Sequence, residues 1–337
     1  MPDMFAHYLV AEAAARRLPD DVAARLVGDA FDAYKVGAQG PDVFFYSRLV
    51  RGRRGRPNLA HLTHQHQMAA AFRSMLARAA ASPEGERGAA FAFIAGYAAH
   101  LCLDAEAHPW VLYWTGDISD GADPTAKTEA FRRHGVLEAS IDVILTRERS
   151  DDTAWLRRQR LLRLPPAQAT TAATLLSGML SDVYGVAFTP AEGRSAFRAM
   201  EWVYTTMSDP RALPTRLLGM VAPAVDKGGV VRTQIYPKTP APAAARLYAE
   251  RREWYYPSLP EEPRTTTFAE ILETATARTA RCLEAIAAVA GRDAAVDEAV
   301  AVIGDRSMFT GLPCDDPRPR VAFSPDRDLI WAGAAPA

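Results

Sequence analysis

The stretch HLCLDAEAHP, residues 100–109, has the strongest structural and chemical signal in this chain. His100 and Asp104 are four positions apart, and His108 follows after four more. Residues four apart on an α-helix lie on one face, about 6 Å apart along the axis, so an imidazole and a carboxylate can reach one cation. Both groups are common ligands of Zn²⁺. The spacing therefore predicts a metal site on a helix.

The helix that contains this stretch is predicted over residues 86–107. It is apolar on nearly all sides, which is typical of the central helix of a bundle. Pro109 disfavours helical geometry at His108, so we expect the helix to end there. His108 would then turn away from His100 and Asp104 towards a second metal.

A second His-x-x-x-acid pair, His134 and Glu138, lies in a helix predicted over residues 125–148. Asp142 follows one turn later on the same stripe. Asp142 and Glu106 are candidates for accepting a hydrogen bond from an imidazole, which would fix the orientation of a metal-binding ring. For both, a solvated acid is the alternative.

All seven histidines lie within the first 134 of the 337 residues. A single histidine is more often a core or surface residue than a ligand. The clustering of the histidines, together with the two His-x-x-x-acid pairs, instead favours a set of metal ligands. The other four are His7, in a helix predicted from Asp3 to Arg17, and His61, His64 and His66, in a helix predicted over residues 58–81.

A turn is predicted at Gly40-Pro41-Asp42, because glycine and proline favour turns. The aromatic residues Phe44, Phe45 and Tyr46 follow directly and would fix this loop to the core. Asp42 is therefore a candidate polar group held in a defined position.

Composition limits the class of protein. Apolar residues make up 49% and charged residues 23%, which are ordinary globular values. The formal net charge of −1 excludes a global basic field for nucleic acid, although residues 48–56 form a basic run that indicates a solvated loop or a phosphate-binding patch. Three cysteines without CxxC spacing do not indicate a disulfide framework. No signal peptide and no apolar run near about 18 residues is found, so we expect a cytoplasmic protein without a membrane span.

The second half of the chain also has helical periodicity. Helices are predicted over residues 166–182, 190–207, 241–254, 265–291 and 293–303, and the single strand candidate is Gly229–Ile235. We expect a metal-binding helical core over 1–150, a helical extension over 151–310 packed on it in one continuous domain, and an irregular segment over 311–337.

Four segments together resemble the bacterial zinc-dependent phospholipase C family, which is related to the single-strand-specific zinc nucleases. They are MPDMFAHYLVAEAA (1–14), GAQGPDVFFY (37–46), HLCLDAEAHPW (100–110) and HGVLEASID (134–142). A weaker likeness continues in REWYYPSLPEEPRTTTFAEI (252–271). Each segment alone is a weak signal, but the ordered set is specific.

The resemblance implies an all-α, multi-helix bundle built around a multinuclear site of two to three zinc ions. One zinc would be bound by His100, Asp104 and a histidine of the 61–66 segment. Asp104 would bridge to a neighbouring zinc that His7 also binds. The remaining zinc would be bound by His108, His134 and Glu138, and Asp42 would orient or deprotonate the attacking water.

Two features depart from the family pattern. The 61–66 segment offers three histidines for one role, and we favour His64 over His61 and His66. In secreted relatives the N-terminal amine binds a zinc after processing. Here the third zinc would be weaker, completed by water or absent, or Asp3 would replace the amine.

The implied activity is hydrolysis of a phosphodiester by a metal-activated water, which gives a phosphomonoester and an alcohol. The substrate would be a phospholipid or a soluble head-group diester. A zinc-dependent nuclease is the first alternative, because the aromatic residues beside the basic run suit a single strand. A non-catalytic helical protein stabilised by metal is the second.

Overall fold

The computed structural model describes residues 4–51, 57–118, 121–150, 161–207 and 236–332. Over these ranges the fold is all-α, as predicted, with one short β-hairpin. The helices are α1 (Met4–Ala15), α2 (Asp20–Leu26), α3 (Phe31–Gly37), α4 (Val43–Arg51), α5 (Leu59–Gln65), α6 (Met68–Ala81), α7 (Glu84–Thr115), α8 (Pro124–Arg149), α9 (Pro166–Tyr184), α10 (Pro190–Met207), α11 (Pro242–Ala249), α12 (Phe268–Gly291), α13 (Val296–Ile303) and α14 (Arg327–Ile330).

Helix α7 is the centre of the bundle, and α1, α3, α6, α8, α9 and α12 pack against it. Nearly all of its residues from Ala90 to Thr115 are buried. Among the described helices it is the one long and apolar enough to cross a membrane, but 89% of its apolar window is buried inside the protein. Its apolar composition is thus explained by its position in the core.

The prediction that α7 ends at His108 is wrong, because the helix continues through Pro109 to Thr115. Proline inside a helix removes one amide donor, here the one that would reach the Ala105 carbonyl. Gly311, from the other end of the chain, packs closely on that carbonyl. Burial of the surrounding residues offsets the missing hydrogen bond.

Two other helical segments are interrupted. The segment after Asp20 forms α2, a 3₁₀ turn at Gly28–Ala30, and then α3. The helix predicted over 58–81 is split into α5 and α6, because Gln67 adopts a left-handed conformation with a φ of 57°. Such a residue cannot continue a right-handed helix.

Strands β1 (Trp254–Tyr256) and β2 (Leu259–Arg264) form an antiparallel hairpin that the sequence did not predict. The hairpin follows the helix predicted over 241–254, which ends early, at Ala249, as α11. The predicted strand Gly229–Ile235 lies outside the described residues.

Helices α3 and α7 approach so closely that glycine is required at the contact. A Cβ on Gly96 would lie 2.2 Å from the Tyr34 carbonyl oxygen and 2.6 Å from the Ala38 nitrogen. The hydroxyl of Tyr34 also donates a hydrogen bond to the Ala11 carbonyl, which ties α3 to α1. This contact places α1 and α3 beside the polar face of α7.

We predict that Gly96→Ala lowers the free energy of unfolding by about 1–3 kcal/mol, because the backbone of α3 has to move. Gly88, in the same helix, has nothing within 4 Å of its Cβ position. Gly88→Ala should instead raise stability by about 0.5–1 kcal/mol through its helix propensity. Urea denaturation of both variants measures the difference, and equal effects would contradict the close approach of α3 and α7.

Candidate metal centre

The first group of candidate ligands surrounds the carboxylate of Asp104 at the centre of α7. Its Oδ2 lies 3.0 Å from Nε2 of His100 and 3.8 Å from Nε2 of His64, while its Oδ1 lies 3.3 Å from Nε2 of His7. The His7 and His100 rings are stacked with centroids 4.0 Å apart. The two carboxylate oxygens therefore face different imidazoles, as a bridging ligand requires.

The second group joins α7 to α8. Nε2 of His134 lies 2.8 Å from Oε1 of Glu138, and Nε2 of His108 lies 3.9 Å from the same oxygen. The predicted turn of His108 away from α7 is not needed, because α8 brings His134 and Glu138 to its side chain. All three side chains are buried.

Backbone carbonyls set the orientation of three imidazoles. Nδ1 of His100 lies 3.1 Å from the Ala38 oxygen, and Nδ1 of His64 lies 2.6 Å from the Ala60 oxygen. A carbonyl can only accept a hydrogen bond, so each Nδ1 must be the protonated nitrogen. Each Nε2 is then left with a lone pair for a metal.

Nδ1 of His108 is held in the same way, 2.8 Å from the Met308 oxygen. No sequence pattern indicates this contact, because any residue type can supply a carbonyl. Met308 and its neighbour Phe309, whose ring is stacked on that of His108, are two residues of the second half that lie against the site. Sequence reasoning missed both.

The predicted turn at Gly40–Asp42 places Asp42 beside the first group. A Cβ on Gly40, which has a φ of +48°, would lie 2.5 Å from the ring of His100, so only glycine allows this approach. Oδ1 of Asp42 is 3.1 Å from Nε2 of His64. The candidate ligand atoms form three sets, and within each set they lie within 4.8 Å of one another. The sets are His7, Asp42 and His100; His64, His100 and Asp104; and His108, His134 and Glu138.

The donor atoms fit zinc. Nε2 of His7, Nε2 of His100 and both oxygens of Asp104 are buried without a hydrogen-bond partner among the described residues. Buried polar atoms are normally paired, since leaving them unpaired is costly. Tetrahedral zinc with bonds of about 2.1 Å separates its ligand atoms by about 3.4 Å, which is close to the spacing of these atoms.

The carboxylates of both groups are held in the charged form. Burial acts to raise the pKa of Asp104, but His108 and His100 outweigh it and keep that pKa well below its usual range. Burial likewise acts to raise the pKa of Glu138, which His134 nevertheless lowers to about 2. The pKa of His7 is lowered, first by burial and then by His100. Anionic carboxylates beside a neutral imidazole are the state that binds a cation.

The structure corrects the predicted roles of Asp142 and Glu106. Asp142 accepts hydrogen bonds from the backbone amides of Phe5 and Ala6 and from the hydroxyl of Tyr236. None of these three donors is an imidazole. It therefore anchors the first turn of α1, which contains His7.

Glu106 points away from the ligands because it is two positions from both Asp104 and His108 on α7. Its carboxylate lies 3.4 Å from Arg306 and 3.5 Å from Arg278. It forms an ion-pair cluster rather than a support for an imidazole.

Of the three histidines in the 61–66 segment, only His64 joins the candidate ligand sets in the described chain. His61 is half-buried, with its ring 6.4 Å from Phe45 and 6.1 Å from Phe309, and His66 is exposed. Asp3 lies outside the described residues.

Comparison with known protein families identifies a zinc-dependent family. The sequence model of the zinc-dependent phospholipase C family matches residues 6–179, just over half of the chain. The chain belongs to the zinc-dependent phospholipase C family. All eight residues of the three ligand sets fall within the matched range. No curated protein and no solved structure matches the chain.

The buried His108 predicts a pH-dependent stability of the zinc-depleted protein. Burial lowers its pKa to about 4, against about 6.5 in the unfolded chain. The unfolded chain therefore binds the proton first, and stability is present above about pH 6.5 and lost as the pH falls towards 4. We predict that His108→Gln reduces the loss of unfolding free energy between about pH 7.5 and about pH 5 by about 2 kcal/mol.

Urea denaturation in the presence of a chelator measures this loss. His66→Gln, at an exposed histidine, serves as the matched control and should behave as the wild type. Equal pH dependence in all three proteins would contradict a buried, neutral His108.

Proposed function

We propose that the protein is a zinc-dependent phosphodiester hydrolase of the phospholipase C type, which cleaves a phosphodiester into a phosphomonoester and an alcohol. The observation that supports this most strongly is the pair of buried ligand groups joined through α7, in a chain of the zinc-dependent phospholipase C family. Two adjacent groups can hold both the attacking and the leaving oxygen of an in-line displacement.

Each residue has a distinct part in this proposal. The first group, His7, His64, His100 and Asp104, and the second group, His108, His134 and Glu138, would hold two to three zinc ions between them. Bound zinc would lower the pKa of a coordinated water towards about 7 and neutralise phosphoryl oxygens. Asp42 would accept the proton of the attacking water or orient that water. Asp104 would set the distance between neighbouring ions.

The family makes a phospholipid-type diester the first substrate to test. A nuclease is the second candidate, because the half-buried ring of Phe45 lies 5.7 Å from the ring of His64. An aromatic ring beside the ligands could stack on a nucleotide base. A helical protein that uses metal only for stability is the third.

Metal analysis and two assays separate these candidates. We expect two to three zinc ions per chain, and hydrolysis of a chromogenic phosphocholine diester that a chelator abolishes and zinc restores. Fewer than two ions would contradict the metal centre. Hydrolysis of single-stranded DNA alone would identify a nuclease, and bound zinc without turnover of either substrate would favour the structural role.

We predict that Asp42→Asn lowers kcat about 10²–10⁴-fold, because the amide cannot accept the proton. Zinc content and the urea midpoint should change little, since the substitution keeps the size of the side chain. Asp29→Asn, at an exposed position, is the matched control and should keep full activity. Loss of a zinc ion in parallel with activity would make Asp42 a ligand and overturn its proposed role towards water.

A further inference from the structure

A loop near the C-terminal end of the chain lies directly against the ligands. This loop, here called the clamp loop, comprises residues Asp305–Cys314. It closes on itself, because the Ser307 amide donates to the Leu312 carbonyl and the Cys314 amide donates to the Asp305 carbonyl. The carboxylate of Asp305 also accepts a hydrogen bond from the Ala69 amide in the first turn of α6. The loop therefore has a defined conformation and a fixed attachment.

Met308 connects the two ligand groups through its backbone. Its amide donates a hydrogen bond of 2.8 Å to the carbonyl of His64, in the first group. Its carbonyl accepts a hydrogen bond of 2.8 Å from Nδ1 of His108, in the second group. The backbone of Met308 thus links α5 to the ring of His108 on α7.

Phe309 connects the same two groups through its side chain. Its ring is stacked on that of His108, with centroids 5.2 Å apart, and tilted against that of His64 at 5.7 Å. On another side it packs with Leu112 and Ala130, and it is 8% exposed. Phe309 therefore covers both imidazoles and restricts their rotation.

Gly311 sets how closely the clamp loop approaches α7. Its φ is +66°, and a Cβ there would lie 2.2 Å from the Ala105 carbonyl oxygen and 2.0 Å from the hydroxyl of Tyr256. The Ala105 carbonyl receives no helical hydrogen bond from Pro109, because proline has no backbone N–H. The loop is thus seated on the turn of α7 immediately before His108.

We propose that the clamp loop is the positioning element that fixes His108 as a ligand and holds the second group in register with the first. This rests on the proposed zinc binding by these groups. Partners that orient metal-binding imidazoles typically change metal affinity 10–100-fold when they are lost. The loop lies outside residues 6–179, so the part of the chain that matches the family does not include it.

The first test displaces the loop. Gly311→Ala should move it away from Ala105 and weaken the binding of one zinc ion about 10–100-fold, leaving the others unchanged. Gly185→Ala is the matched control, because Gly185 has a similar φ of +63° but nothing within 4 Å of its Cβ position. His134→Ala gives the reference signal for loss of the second group. Zinc affinity is measured by competition with a chromophoric chelator.

The second test removes the stacking and is independent of backbone strain. Phe309→Leu should weaken the same ion and change the absorption spectrum of the cobalt-substituted protein, whereas Phe309→Tyr should restore both. Phe31→Leu, at an exposed phenylalanine, is its control. The urea midpoint of each zinc-depleted variant shows whether the fold alone has changed.

The outcomes separate this proposal from the proposed function. Weakened binding of one ion in Gly311→Ala and Phe309→Leu, with both controls unchanged, supports the clamp loop. A wild type that binds two or more zinc ions, with variants of unchanged affinity and spectrum, overturns the clamp loop alone. A wild type that binds fewer than two zinc ions overturns the proposed function and the clamp loop with it.

Discussion

The carboxylate of Asp104 is fully buried in the middle of the central helix, and its charge needs partners there. Burying an unpaired carboxylate costs several kcal/mol, so the surrounding elements must supply positive charge or a cation. Helix α1 supplies His7, α5 supplies His64, and α7 itself supplies His100. The imidazoles lie close to one another as well as to the carboxylate, and one or more metal cations bound among them would pair with all of these groups. The approach of His7 on α1 and of His64 on α5 to Asp104 is consistent with the electrostatics of this one side chain.

The unbroken course of α7 gives the centre its second group. Because the helix continues through Pro109, Asp104 and His108 stay on one face, one turn apart. Helix α8 then completes the second group with His134 and Glu138. Five of the ligands lie on the long helices α7 and α8, and helices hold side chains more firmly than loops do. Because α7 carries residues of both groups, its helical geometry sets the distance between them.

Periodicity and ligand chemistry were sufficient to predict the main helices and most of the candidate centre. Helices α1, α8, α9 and α10 match their predicted ranges closely, because their apolar faces repeat at helical spacing. The choice of His64 among three histidines agrees with its place in the ligand set. The errors arose where long-range packing outweighed a local preference. Pro109 did not end α7, and Gln67 broke a helix that nothing nearby in the sequence interrupts.

The sequence by itself determined which side chains can bind a metal and which of them share a helical face, since spacing along a helix fixes both. It also determined the glycine turn before Asp42. Only the tertiary structure decided which ring nitrogen is left free for a metal, because backbone carbonyls of Ala38, Ala60 and Met308 each bind an Nδ1. A carbonyl is common to every residue type and leaves no pattern in a sequence. Its effect depends on bringing Met308 to His108, across 200 positions of the chain.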